Sequence, residues 1–434
     1  MKRVLIISYY WPPSGGSGVQ RWVKFAKFLP QEGWQPVIYT PANPELTTVD
    51  HTLEEEIPTE AEILKTHITE PYGLYRKLFG GGKPASEGEV NPINSRKKTF
   101  KQKISMFIRG NLFIPDPRCL WISPSVKYLK KYLREHPVDI IVSTGPPHSM
   151  HLIARKTALA TGIPWIADFR DPWTKMFYFK HLGLSRWAEK RHRILEKSVL
   201  DNADTIVAVS PLVQEEFQAM TATPVELITN GYDDDDFEQI VEPDGYFNIT
   251  HTGLFASDGN PEILWKVLAD RCASDSEFAR MLRIRLAGKN DKEITASIES
   301  AGLAANLRDV GYVDHQRAVR EQKNASVLIL PLRKEPEYRA TLPGKLFEYL
   351  ASGRPVLGIG QTDGAMARII NSTKAGVVFN WDDEASVRKY LDLCWRSFKD
   401  GTLKADTENI EQFSRRALTS RMAALMDSLI NKKK

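Results

Sequence analysis

The stretch Leu342-Pro343-Gly344-Lys345-Leu346-Phe347-Glu348-Tyr349-Leu350-Ala351-Ser352-Gly353-Arg354-Pro355-Val356-Leu357 begins on turn residues and ends on an apolar strand. The spacing between them predicts a short helix from Gly344 to Ser352, closed by Gly353 at C′. A helix that opens on Pro and Gly offers free backbone N–H groups and a positive dipole end, which suits a phosphate. Lys345 falls in the first turn, where a cation works against the dipole, and this points to a bound anion. Glu348 lies about one turn further on the same face, and a carboxylate there can accept hydrogen bonds from two sugar hydroxyls. The plainer alternative is a surface helix with a Lys/Glu i,i+3 pair.

The same strand, loop and helix rhythm runs toward the N-terminus. Val4 to Ser8 is a continuous apolar run, as in a parallel strand covered on both faces, and fits a buried strand better than a signal peptide. It enters the loop Tyr9 to Gly18 and then a helix from Val19 to Glu32. Strand, Gly-rich loop, helix is the phosphate-cradling unit of doubly wound folds. The glycines do not follow G-x-G-x-x-G, which disfavours a nicotinamide. Gly15 and Gly16 sit in this loop, and Arg21, in the first turns of the helix, is placed to reach the same anion. Asp139 to Ser149 reads as strand then loop and carries His148. Pro164 to Trp173 is another strand end, with Asp168, Arg170 and Asp171; two carboxylates flanking an arginine can orient sugar hydroxyls or each other. A structural role is the alternative for each of these residues. The acid run Asp233 to Asp236 reads as a solvated linker.

The second half repeats the pattern. Phe247 to His251 is a strand leading to Thr252-Gly253-Leu254-Phe255. Ile284 to Ala287 ends in Gly288-Lys289, and Val310-Gly311-Tyr312-Val313 follows. Ala325 to Leu330 precedes the opening stretch.

Composition sets outer limits. The 434 residues suit two or three domains, and 42% apolar with 26% charged is ordinary for a globular chain. Cys119, Cys272 and Cys394 form neither a CxxC pattern nor a disulfide framework, which fits a reducing compartment. No run approaches the roughly 18 apolar residues of a membrane span. The net charge of +5 is uneven: residues 96–134 hold eleven bases and one acid, +10, which leaves about −5 elsewhere. Gly80 to Pro92 reads as a flexible loop. From Arg96 to Phe113 the bases are interleaved with apolar residues. This is either an interfacial helix at an anionic membrane or a basic helix covering a sheet edge. Nucleic acid is a weaker partner, because no recognised binding module accompanies the charge.

The stretch from Pro343 to Val356 resembles the P-x-K-x-x-E-Y-x-A-x-G-x-P-V signature of the retaining glycosyltransferase family 4, whose fold is GT-B. The resemblance recurs in order from residue 4 to about residue 380. Pro164 to Trp173 is similar to the A-D-x-R-D-P-W motif of its bacterial surface-polysaccharide members, and Asn230-Gly231-Tyr232-Asp233 to its hinge turn. The resemblance implies an α/β protein of two doubly wound, Rossmann-like domains facing a cleft. It implies that Glu348 binds the ribose of a nucleotide-diphosphate sugar, with Gly344, Lys345, Leu346 and Gly253 at the diphosphate and Gly311 and Val313 at the base. Gly15 and Gly16 would lie near acceptor and donor phosphate, and His148 near the donor sugar. His148, Asp168, Arg170 and Asp171 are the catalytic candidates. No metal or other cofactor is expected. Two positions depart from the family pattern. Residues 256–261 hold no base, for which Lys345, Lys289 or Arg21 could compensate, and Ala340 stands where a first glutamate is usual.

The expected organisation is 1–238, an acceptor-side domain; 239–405, a nucleotide-sugar domain; and 406–434, a helix crossing back to the first domain, or else an ordinary final helix of the second. The expected activity is transfer of a sugar from a nucleotide-diphosphate sugar to a glycan or lipid-linked acceptor in cell-envelope polysaccharide synthesis, in the cytoplasm or at the inner face of the membrane. Two other readings stay open. One is a nucleotide-sugar epimerase drawing on Asp168, Arg170 and Asp171; the other is a non-catalytic member that binds a glycan or a partner transferase.

Overall fold

The computed structural model describes residues 1–46, 49–70, 107, 110–176 and 179–432, which fall into two units. The first comprises Met1–Thr229 with Arg415–Lys434, and the second Asn230–Ser414. The whole of the loop read at 80–92 and most of the stretch 96–113 lie outside the described residues.

Among the described residues the first unit is built on seven parallel strands: β1 (Lys2–Ile7), β2 (Trp34–Pro41), β3 (Glu62–Thr66), β4 (Ile140–Gly145), β5 (Trp165–Phe169), β6 (Thr205–Ala208) and β7 (Val225–Leu227). Their order is β3-β2-β1-β4-β5-β6-β7. Val4, Leu5, Ile6 and Ile7 are all fully buried, so the sheet is covered on both faces and an unbroken apolar run is what the strand requires. Val4 and Ile6 pack with Trp22, Val23 and Ala26 of the helix Ser17–Phe28, and with Leu418, Met422, Met426 and Leu429 of the helix Arg415–Lys432.

The second unit has six parallel strands: β8 (Phe247–Thr252), β9 (Leu282–Ala287), β10 (Leu307–Gly311), β11 (Val327–Pro331), β12 (Val356–Ile359) and β13 (Gly376–Phe379), ordered β10-β9-β8-β11-β12-β13. In each sheet the order reverses beside its first strand, between β1 and β4 and between β8 and β11. Open α/β sheets bind ligands beyond the carboxyl ends of the strands at such a point. Among the described residues no helix is long and apolar enough to cross a membrane.

The division differs from the expected one. Residues 230–238 belong to the second unit because the 3-10 turn Asp234–Phe237 is held on the helix His315–Lys323. His315 Nε2 lies 2.9 Å from the Asp236 carboxylate, and Lys323 Nζ donates to Phe237 O at 2.6 Å. Asp233 is therefore not solvated linker: it is buried, and its carboxylate accepts the Asp235 N–H. At the other end Phe413 packs on Phe347, with ring centroids 5.4 Å apart, and accepts the Tyr232 N–H, so 406–414 stays in the second unit and the helix of the first begins at Arg415.

Candidate functional site

In the second unit the opening stretch folds as the helix Gly344–Ala351, and Gly353 follows in the left-handed conformation (φ 68°) that closes it. The helix starts beside the carboxyl end of β8. Lys345 Nζ donates to Leu254 O at 3.1 Å and lies 3.0 Å from Nε2 of His251. It also lies 3.4 Å from where a Cβ on Gly253 would be, and Gly253 has φ 82°. Burial pushes the lysine down to about 7, against the pull of Glu348 in the opposite direction. No carboxylate of the described residues lies within ion-pair distance of Lys345.

Three strand ends are stitched into one floor beneath this lysine. Gly253 N–H donates to Ala287 O at 2.8 Å, Phe255 N–H to Lys289 O at 3.0 Å, and Gly288 N–H to Gly311 O at 2.7 Å. The packing is close enough that a Cβ on Gly288 would stand 2.1 Å from Gly253 O, so only glycine fits there. Lys289 is exposed beyond β9; Gly311, the last residue of β10, and Val313 beyond it are half-exposed.

Glu348 is half-buried and fixed: its Oε2 accepts from Gln322 Nε2 at 2.7 Å. Gln322 is fully buried and also donates to Thr252 Oγ1 at 3.1 Å. The Tyr349 hydroxyl accepts the Thr252 N–H at 3.0 Å, locking the helix to β8. Gly344 and Lys345 leave their N–H groups open at the helix start. Leu346 does not share that role: its side chain is fully buried and its N–H donates to Pro343 O.

The first unit holds the other candidates, and three of them, Arg21, Asp168 and Arg170, turn out to be structural. Arg21, expected at a phosphate, is 1% exposed and points into the core. Its guanidinium meets Asp168 at 2.8 Å and donates to Thr229 O at 2.6 Å and Ile228 O at 2.8 Å. Asp168, a catalytic candidate, is fully buried and also accepts from Trp22 Nε1 at 2.7 Å and Thr144 Oγ1 at 2.9 Å. Burial alone would raise its pKa, but Arg21 and these donors outweigh it and hold the carboxyl below its usual range. Arg170 ties the first turn of the helix Ser17–Phe28 to the loop after β4, donating to Gly18 O and to Pro146 O. Asp171 is different: it is half-buried, no described residue donates to it, and burial raises its pKa against the opposing charge of Arg170. Gly15 and Gly16 lie at the start of the helix Ser17–Phe28, with Gly16 exposed at φ 97°.

His148 lies beyond β4, 5% exposed and stacked on Trp173, with ring centroids 4.5 Å apart. Neither ring nitrogen has a protein partner. Burial, reinforced by His151, His192 and Arg170, keeps it uncharged at neutral pH.

His251, Thr252, Gln322 and Tyr349 were not singled out from the sequence. A histidine near the end of a buried strand that mixes apolar and polar residues was the one available signal. Of the three proposed compensating bases, Lys345 lies on the Gly253 turn, Lys289 is exposed at the next strand end, and Arg21 is occupied elsewhere.

Comparison with known proteins fits this geometry. Residues 96–236 match the family model described as Glycosyltransferase Family 4, and residues 247–394 the model described as Glycosyl transferases group 1. The chain belongs to these glycosyltransferases. No match is found among curated protein sequences. Among solved structures it is similar to a sucrose-phosphate synthase from Thermosynechococcus elongatus, with TM-score 0.65, 15% identity, and all of both chains covered. It is also similar to HepE of Anabaena in complex with UDP-glucose, with TM-score 0.55, 13% identity, 100% of this chain and 99% of that one. A third likeness is to a UDP-GlcNAc 2-epimerase from Methanocaldococcus jannaschii, with TM-score 0.53, 12% identity, 99% of this chain and 100% of that one. At these identities the likeness concerns the GT-B fold, and the chain is a GT-B glycosyltransferase.

Proposed function

We propose that this glycosyltransferase takes a sugar from a nucleotide-diphosphate sugar held on the second unit and delivers it to a glycan or lipid-linked acceptor, with retention of anomeric configuration. The observation that carries the reading is Lys345. It is a cation without a carboxylate partner, set over the Gly253 turn, one helical turn from the fixed carboxylate of Glu348. Lys345 with the open N–H groups of Gly344 and Lys345 would stabilise the departing diphosphate, and Glu348 would hold the ribose. In the front-face substitution the bond from C1 to the phosphate oxygen breaks, the acceptor oxygen bonds to C1, and its proton passes to the leaving phosphate. This requires no metal. An epimerase is the weaker reading, since Asp168 and Arg170 are committed to structural contacts and leave Asp171 alone. Cell-envelope polysaccharide synthesis is the setting that the A-D-x-R-D-P-W likeness supports.

A thermal-shift panel of UDP, GDP, ADP, dTDP and CMP, with their sugars and with EDTA present, tests the reading. One nucleotide series should raise the unfolding temperature; a ligand at a hundred times its Kd adds about 2.7 kcal/mol. No shift with any series would overturn it.

A cytoplasmic protein working at the inner membrane face fits the basic stretch 96–134. Within its described part the helix Ile122–Glu135 exposes Lys127, Lys130, Lys131 and Arg134. Each base near an anionic surface contributes about 1 kcal/mol. Replacing all four by Gln should reduce pelleting with phosphatidylglycerol vesicles at least tenfold. Unchanged pelleting would overturn the membrane contact.

A further inference from the structure

Lys345 is held by something other than charge. Its counterpart on β8 is His251, 2% exposed, whose ring stacks on Phe255 with centroids 4.1 Å apart. Nδ1 of the ring has no partner, and Nε2 faces Lys345 Nζ. Burial first, and the lysine second, hold the imidazole far below its ordinary pKa, so it is uncharged. The other groups around Lys345 are accounted for. The turn supplies Leu254 O, and Glu348 on the same helix is tied to Gln322. Lys289 stands exposed at the end of β9, and Asp258, further along the same loop, pairs with Arg333 at 2.8 Å.

An uncharged acceptor can orient an ammonium group without neutralising it. A carboxylate in the place of His251 would hold the lysine equally well and cancel the charge. We propose that His251 is a positioning residue for the transfer reaction: it holds Lys345 over the Gly253 turn as an acceptor that leaves the lysine's charge for the diphosphate of the donor. This rests on the reading of the Gly253 turn as the diphosphate site. Because burial keeps the free lysine near pKa 7, an arriving diphosphate should draw a proton onto it.

Calorimetry at pH 8 on the full chain tests this, with UDP, GDP, ADP and dTDP as probes in two buffers of different ionisation enthalpy. The probes are already fully ionised there, with a second phosphate pKa of about 6, so proton uptake reports the protein. The wild type should bind one of the four and take up close to one proton. In His251→Leu the lysine keeps only Leu254 O as an acceptor and, no longer held from the β8 side, swings to water, where its pKa returns to about 10.4. Uptake should fall toward zero and affinity about tenfold, the size expected for one hydrogen bond to a charged group. His251→Gln, whose amide oxygen can accept, should recover most of both. If the leucine variant does not fold, His251→Asn, too short to reach the lysine, replaces it. A merely structural histidine would lower the melting temperature in every variant and leave proton uptake as in wild type. Wild-type uptake and affinity in His251→Leu, or wild-type binding without uptake, overturns the role of His251 and leaves the diphosphate site standing. Failure of the wild type to bind any of the four, or unchanged affinity in Lys345→Met, overturns the site and the role together.

Discussion

Asp168→Asn is expected to lower the unfolding temperature of the first unit by roughly 10 °C, from a loss of about 3–5 kcal/mol. The cause is Arg21. Its guanidinium is 1% exposed and pairs with Asp168 at 2.8 Å, so the variant removes a neutralising carboxylate from a buried cation. The amide retains the volume of the carboxylate and one acceptor for Trp22 or Thr144, which isolates the loss of charge from the loss of shape. Arg21→Met should cost a similar amount by stranding the carboxylate instead. The double variant Arg21→Met, Asp168→Asn should cost much less than the sum, since neither charge is then left alone. The pair also sets an acid limit. The folded pKa of Asp168 lies below its unfolded value of about 3.9, so its stabilisation is fully present above that value and is lost as pH falls through the folded pKa. A catalytic Asp168 would give the opposite result: activity lost with the melting curve unchanged.

Glu348→Ala is expected to weaken nucleotide binding by at least a hundredfold. Two ribose hydroxyls lose charge-assisted hydrogen bonds, each about 1.5–3 kcal/mol. Gln322, fully buried, would lose one of its two acceptors as well, keeping Thr252 Oγ1. Titration of the nucleotide found by thermal shift measures the loss, and Glu348→Gln separates the two effects because its amide can still pair with Gln322. Unchanged affinity in the alanine variant would remove Glu348 from the site.

Much of this was legible because parallel strands buried on both faces must be written as unbroken apolar runs. Val4 to Ser8 and Val356-Leu357 announce β1 and β12 without ambiguity, and the loops after them follow from order alone. Lys345 was legible for a similar reason: a cation in the first turn of a helix needs an anion to justify it. What could not be read was direction. Arg21 sits in the first turns of a helix beside a Gly-rich loop, and nothing local says whether its side chain turns to the loop or to the core. The answer lies 147 positions away, in Asp168. His251 and Gln322 were hidden likewise, one among the other polar residues of a short strand and the other in a polar helix, until the fold set both around the same turn.

The placement of the helix Arg415–Lys432 has a consequence for biosynthesis. Leu418, Met422, Met426 and Leu429 complete the core begun by Val4, Ile6 and Trp22. Between Thr229 and Arg415 the ribosome must make the 185 residues of Asn230–Ser414, which takes roughly 10–40 s at ordinary elongation rates. Through that interval the first unit is a nascent domain with an apolar groove open along the Ser17–Phe28 helix, while the second, being continuous, can fold as it emerges. The half of the protein made first is the half finished last, and its window of chaperone dependence is set by the length of the other.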